Sequence, residues 1–418
     1  MNYQTIFKWM SALAFYVMAS TSVSAAIEVR ITDGIDQALP IMIAPFAGDD
    51  QAAKIIEADF DRSGRFTLIS PAKAGQRLEL GKPFNIEVLR RSGADYVVVG
   101  SQTDTLTVEL LNTATGERVA GYRIPPHPNR RRMAHKAADL LFEKMIGIKG
   151  AFDTKVAYIL ANGAAGSQTF QLMVADADGY NPQSVMQSNK PILSPAWSPD
   201  ARFLAYSSFE KDHSAVFIQD LKSGDKRVLL LYEGTNGAPA WSPDGSQIAI
   251  SLTDEDNTDI YVVNVRNGAI KRVTQDRAID TEPAWASNNT IVYTSDQGGK
   301  PQLYRTTVNG GDGQRITFQG DYNAAPSIVK NKIGMVRQLG AGFKIAIMNA
   351  STKNSATVSR GGADESPSLA PNGAMVVYAT RAGGREQLAV SSDNGKSRQF
   401  LPIQGGAARN PAWSPYLP

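Results

Sequence analysis

The chain has 418 residues, of which 42% are hydrophobic and 20% charged, with a formal net charge of +3. That balance allows a sizeable core, excludes wholesale disorder, and lacks the concentrated basic surface that nucleic-acid binding requires. Cysteine is absent, which excludes disulfides, thiolate metal sites, a cysteine nucleophile and a lipidated N-terminal cysteine.

Residues 1–26 read as a signal peptide. Lys8 supplies the positive region, Trp9 to Ala19 is an apolar run, and small residues from Ser22 to Ala26 predict cleavage after Ala25 or Ala26. The run is too short for a membrane anchor, and no later segment is apolar for long enough to insert. Ile27-Glu28-Val29-Arg30-Ile31-Thr32 then alternates apolar and polar residues. It suits either the first strand of a sheet or a mobile arm (27–36) that adds as a strand to a partner.

Residues 27–147 predict a small α/β domain. Strands are expected at Ile41–Phe46, Phe66–Ile69, Tyr96–Gly100, Thr105–Leu111 and Arg118–Ile124. Helices are expected at Gln51–Arg62, Phe84–Arg91 and Arg131–Ile146, the last with Leu140, Leu141 and Met145 on its apolar side. Arg130-Arg131-Arg132 is the sharp charge run and reads as a solvated helix start. Residues 148–153 read as a linker.

From residue 154 to 418 the chain repeats. Pro195-Ala196-Trp197 returns as Pro239-Ala240-Trp241, Pro283-Ala284-Trp285, Pro326-Ser327-Ile328, Pro367-Ser368-Leu369 and Pro411-Ala412-Trp413, at spacings of 44, 44, 43, 41 and 44 residues. Periods of this length with β-rich content mean four-stranded propeller blades. Ser242-Pro243-Asp244-Gly245 has the residue order of a type I turn. The sixth anchor has almost nothing after it, and Lys155 to Ile159 is a second-strand pattern without an anchor before it. The C-terminal strand is therefore expected to complete the blade begun near residue 154. The predicted architecture is a small α/β domain followed by a six-bladed β-propeller closed by its own C-terminal strand, with each Trp packed between blades.

Searches for chemistry return little. No Gly-x-Ser-x-Gly elbow, Walker loop, His-Glu-x-x-His motif or dinucleotide fingerprint occurs, and His127, His135 and His213 lack metal-ligand spacing. No catalytic, cofactor-binding or metal-ligating residue is assigned. The residues before each anchor proline are placed at the mouth of the central channel. There Asn236, Gly237, Ala238, Thr281, Glu282, Asp364 and Glu365 form a rim of small, amide and carboxylate residues suited to a peptide or protein knob. A secreted propeller enzyme, such as a peptidase accessory domain or a glycan lyase, is the alternative, and it would need Glu282 or Glu365 for turnover.

The linker and terminal segments carry a family resemblance: Phe142-Glu143-Lys144, Gly147 to Phe152, Asp178-Gly179-Tyr180-Asn181, Thr294-Ser295-Asp296-Gln297, and the ending Pro411 to Leu417. In these the chain resembles the TolB family of periplasmic Tol–Pal components over its whole length. The resemblance implies a non-enzymatic, periplasmic protein that is monomeric outside its complex. It implies that the lipoprotein Pal binds at the propeller rim and that inner-membrane TolA contacts Ile27, Glu28, Val29, Arg30 and Ile31. It also implies a role in envelope integrity and division, and exploitation by colicins.

Overall fold

A computed structural model of the protein describes residues 37–418, apart from 165, 212, 233, 235 and 255–256. The segments read as signal peptide and arm, including Ile27 to Ile31, lie outside the described residues.

The first domain is built on one mixed sheet. Its strands are β1 (Leu39–Ile43), β2 (Ala47–Gly48), β3 (Phe66–Leu68), β4 (Tyr96–Gln102), β5 (Leu106–Asn112) and β6 (Arg118–Ile124). The order is β3-β1-β4-β5-β6, with β2 beside β4. β1 runs parallel to β3 and β4, while β4, β5 and β6 form an antiparallel meander. Helices α1 (Gln51–Ser63) and α3 (Arg130–Ile146) pack together on one face. Their core joins Phe60, Phe66, Phe142 and Phe152, with Phe60 and Phe66 stacked at 4.4 Å between ring centroids. The short α2 (Ile86–Arg91) begins at Asn85, whose side chain accepts from the Glu87 and Val88 amides. It is two residues shorter than the hydrophobic pattern suggests, because that Asn cap sets its start.

Six four-stranded sheets follow, one per repeat. Each blade's innermost strand carries an anchor proline: Ile192–Trp197, Asn236–Trp241, Asp280–Ser287, Asn323–Val329, Glu365–Leu369 and Ala407–Trp413 for blades 1 to 6. Blade 6 combines the C-terminal Ala407–Trp413 with Lys155–Asn162, Thr169–Asp176 and Gln183–Ser188. The end of the chain thereby removes the open sheet edge that a linear array would leave. The Ser242 to Gly245 turn forms as its residues dictate. The Gly245 amide donates to the Ser242 carbonyl at 2.9 Å, and Ser242 Oγ accepts from the Gln247 amide at 3.0 Å.

The tryptophans couple blades. Trp241 Nε1 donates to the Ala196 carbonyl at 3.2 Å, and Trp285 Nε1 to the Ala240 carbonyl at 2.9 Å. Blades 4 and 5 carry Ile328 and Leu369 at this position and couple differently. Ser327 Oγ accepts from the Leu369 amide, and Ser368 Oγ accepts from the Trp413 amide, both at 2.9 Å. The serine after the anchor thus accepts a backbone amide across the seams between blades 4 and 5 and between blades 5 and 6.

The arginine run is not a solvated helix start. Arg131 pairs with Asp178 in the outer turn of blade 6, Arg132 Nε donates to Asp153 Oδ1 at 3.0 Å, and only Arg130 is mostly exposed. Further bonds tie the domain to blade 5. Arg65 pairs with Asp393 at 2.5 Å, Asn394 Nδ2 donates to the Gly64 carbonyl, and Asn372 Nδ2 donates to the Lys149 carbonyl. Residues 148–153 are equally committed, since Ala151 and Phe152 are buried. All these contacts lie at the propeller end that carries the turns after the innermost strands.

Candidate functional site

At the opposite end of the propeller, the innermost strands begin. Each carries the same irregularity. Pairing with the second strand shifts register between Leu193 and Ala196, Gly237 and Ala240, Thr281 and Ala284, Ala324 and Ser327, Glu365 and Ser368, and Arg409 and Ala412. The two residues skipped are the anchor proline and the residue before it. Proline has no N–H to lose from the ladder, so a bulge is where it fits. The preceding residue is left-handed in every blade: Ser194, Ala238, Glu282, Ala325, Ser366 and Asn410 have φ of 50°, 48°, 54°, 52°, 51° and 44°. None is glycine, so each conformation costs on the order of 1 kcal/mol. Blade 4 keeps this geometry at Ala325 even though its outer turn is only Lys330-Asn331.

These six residues and the six prolines line the central channel, a cavity of about 570 Å³. Four of the six are alanine or serine, which keeps the opening wide. The proline rings supply an apolar wall without backbone donors. Glu282 is the single titratable group among the described lining residues. Its Oε2 accepts from Thr294 Oγ1 at 2.9 Å and from the Ala325 amide at 2.8 Å, and its own amide donates to Ser251 Oγ at 3.1 Å. The carboxylate therefore bridges blades 3 and 4. A pair of carboxylates working as acid and base needs two such groups facing one space, and the described lining offers one.

The structure divides the other rim residues. Asn236 and Gly237 open the innermost strand of blade 2, and a side chain at Gly237 would meet nothing within 4 Å. Thr281 is half-buried, with its Oγ1 3.1 Å from Ser251 Oγ. Glu365 is exposed beside the Arg409–Glu386 ion pair. Partial desolvation and the Glu386 charge push its carboxyl above the ordinary value, against the pull of Arg409. Asp364 is not on the surface. It is fully buried and accepts from Ser359 Oγ and Thr380 Oγ1, both at 2.5 Å, and from the Gly361 amide at 2.9 Å. The same place, three residues before the anchor, holds Asp280 and Asn323, also fully buried. Side chains alternate along a strand, so this position turns into the blade and orders the loop before it.

The rim face also exposes apolar side chains that sequence reasoning did not select. Ile279 is 55% exposed and Phe318 71%, in the loops entering blades 3 and 4, with Leu193, Leu339 and Phe343 nearby in the fold at the same end. For Ile279 and Phe318 the signal in the sequence was available, because each interrupts a polar loop ahead of an anchor. A band of this kind around a channel mouth marks an interaction surface.

Comparison with known proteins agrees with this architecture. Residues 27–119 match the model of the TolB amino-terminal domain, and residues 142–417 match that of the TolB beta propeller domain. The Tol-Pal system protein TolB of Xanthomonas campestris pv. campestris is 42% identical, over 98% of each chain. The crystal structure of TolB from Acinetobacter baumannii superposes with a TM-score of 0.85 at 36% identity, covering 91% of this chain and 98% of that one. A putative TolB from Agrobacterium tumefaciens shares the fold, with a TM-score of 0.50 at 16% identity over 63% of this chain and 93% of that one. Two family models, the relatives and the architecture agree, and the chain belongs to the TolB family.

Proposed function

We propose that this chain is a non-enzymatic, periplasmic protein-binding component of a Tol–Pal envelope complex. In this reading the lipoprotein Pal docks on the channel rim, and TolA contacts the segment Ile27 to Ile31. The complex then supports envelope integrity and constriction at division, and colicins exploit it.

The observation that carries this reading is the six-fold bulge. It sets a ring of left-handed, mostly small residues and proline rings at the propeller end opposite the one the α/β domain covers. Such a mouth is concave and apolar-walled, and exposed side chains surround it, as a protein partner requires. No helix among the described residues is long and apolar enough to cross a membrane, which suits a protein that passes between envelope partners.

The test is calorimetric titration of the purified chain with Pal. Gly237→Trp fills the rim where there is room for a side chain, so it should abolish binding while leaving the melting temperature unchanged. Unaltered affinity would remove Pal from the rim.

A further inference from the structure

The junction between α3 and blade 6 buries a histidine that the rim does not use. His135 is 2% exposed. Its Nδ1 lies 2.7 Å from Asp59 Oδ2 in α1. Its Nε2 lies 3.5 Å from Asp178 Oδ2 in the outer turn of blade 6, and it has no hydrogen-bond partner among the described residues. The imidazole therefore faces a carboxylate at each nitrogen, one within its own domain and one in the propeller.

A neutral imidazole has one N–H and one lone pair, so it can serve only one of two carboxylates. Its other nitrogen would point a lone pair at a buried negative charge. Only the imidazolium donates in both directions. We infer that His135 is a proton-operated latch between the α/β domain and the propeller: as imidazolium it bridges Asp59 and Asp178, and loss of its proton releases the Asp178 side.

The geometry selects that side. The shorter contact, to Asp59, keeps the remaining proton on Nδ1. The lone pair is then left on Nε2, facing Asp178 across the junction. The switch thus acts on docking and spares the packing of α1 on α3.

Other charged groups face the cluster from every side. From α1, Arg62 pairs with Asp59 at 3.1 Å. From α3, Arg131 pairs with Asp178, and Asp139 lies one turn beyond His135, with Oδ1 accepting from the Phe152 amide. From blade 6, Asp176 is held by Lys155 at 2.5 Å and by Asn181 Nδ2 at 2.6 Å. Burial opposes the His135 charge, but Asp59 and Asp178 outweigh it and raise the group above its ordinary value of 6.5. Asp178 is itself held low: His135, Arg62 and Arg131 overcome its burial. His135, Asp176 and Asp178 also approach one another closely enough to share a cation. That cation would have to displace Arg131 and Lys155, which already neutralise both carboxylates, so the proton is the better-fitting ligand.

A histidine raised on folding contributes stability that is present below its unfolded value and is lost as pH rises through the folded one. Docking should therefore loosen as pH rises through a point above the ordinary 6.5.

Two measurements on the full mature chain test this. Imidazole nitrogen NMR, with the exposed His127 and His213 replaced by Gln, should show His135 as imidazolium at pH 6. It should then titrate above 6.5 to the Nδ1–H tautomer. A neutral ring at pH 6, or the opposite tautomer at high pH, would overturn the latch. The cysteine-free chain also accepts spin labels at Glu117→Cys and Lys222→Cys. Pulsed dipolar spectroscopy should give one narrow interdomain distance at pH 6 and a broadened distribution at pH 9. His135→Gln, or Asp178→Asn should the first variant not fold, should remove the pH response. A distance independent of pH, or a response that persists in the variant, would overturn the proposal.

Discussion

The indole Nε1 of Trp197 donates to the carbonyl oxygen of Ala412 at 2.9 Å. The two residues are 215 positions apart, and their bond crosses the seam where the chain's last strand meets blade 1. Every other seam that carries a Trp donor joins consecutive repeats; this one closes the ring. Within blade 6, Trp413 Nε1 donates to Thr154 Oγ1 at 2.8 Å, which fastens the last strand to the start of the blade's second one.

Closure should therefore be fragile to small changes. Trp197→Phe keeps most of the ring volume but removes the inter-blade bond to the Ala412 carbonyl, which should cost about 1 kcal/mol. Removing residues 409–418 deletes most of the innermost strand of blade 6, with its anchor proline and Trp413, and should lower the melting temperature far more. Differential scanning calorimetry of the two variants checks both the order and the direction.

Glu282 should behave as a structural bridge. Glu282→Ala removes the shared carboxylate acceptor and leaves the Ala325 amide only its 3.1 Å bond to Thr294 Oγ1, so a stability loss of about 1 kcal/mol is expected. Glu282→Gln retains an acceptor oxygen and should lose less. Hydrogen exchange at Ala325 should quicken in the alanine variant. Exchange as slow as in the parent would show that the bridge is not formed.

Two buried carboxyls should make stability depend on pH in one direction. Burial pushes Asp139 up to about 7, against the pull of the Phe152 and Asp153 amides, and pushes Asp280 up to about 6, against Ser295 and Thr274. Each binds protons more tightly folded than unfolded. Their contribution is thus present below about pH 4 and is lost as pH rises through 6 to 7. Melting temperature should fall between pH 5 and pH 8. Asp139→Asn, which keeps an acceptor for the Phe152 amide and no longer titrates, should flatten the upper part of that slope.

Two glycines separate packing from binding. A side chain at Gly361 would overlap the Asp364 carboxylate, whereas one at Gly237 meets nothing. Gly361→Ala should therefore destabilise blade 5 by about 1–3 kcal/mol through the buried Asp364 network. Gly237→Trp should be silent in thermal melts. Equal melting temperatures for both variants would contradict the placement of Asp364 beneath the rim.

The repeat made most of the propeller legible. Pro-Ala-Trp spacing located the innermost strands, and the missing anchor before Lys155 announced ring closure. The bulge was not legible, because a residue before proline is normally extended and only the pairing register shows it turned left-handed. Asp364 was misplaced for a related reason. Sequence gives proximity to the anchor, but strand alternation decides that position 364 faces inward while position 365 faces out. Arg131 and His135 were underrated because their partners, Asp178 and Asp59, lie 47 and 76 residues away. No local pattern reports a charge pair of that separation.

The central claim is that the channel rim, and not the N-terminal segment, receives Pal. Titration calorimetry of Pal into three proteins decides it most directly: the mature chain, Gly237→Trp, and a chain lacking residues 27–36. The account predicts binding to the first and third and none to the second. Binding to Gly237→Trp with undiminished affinity, or its loss on deleting 27–36 alone, would contradict it.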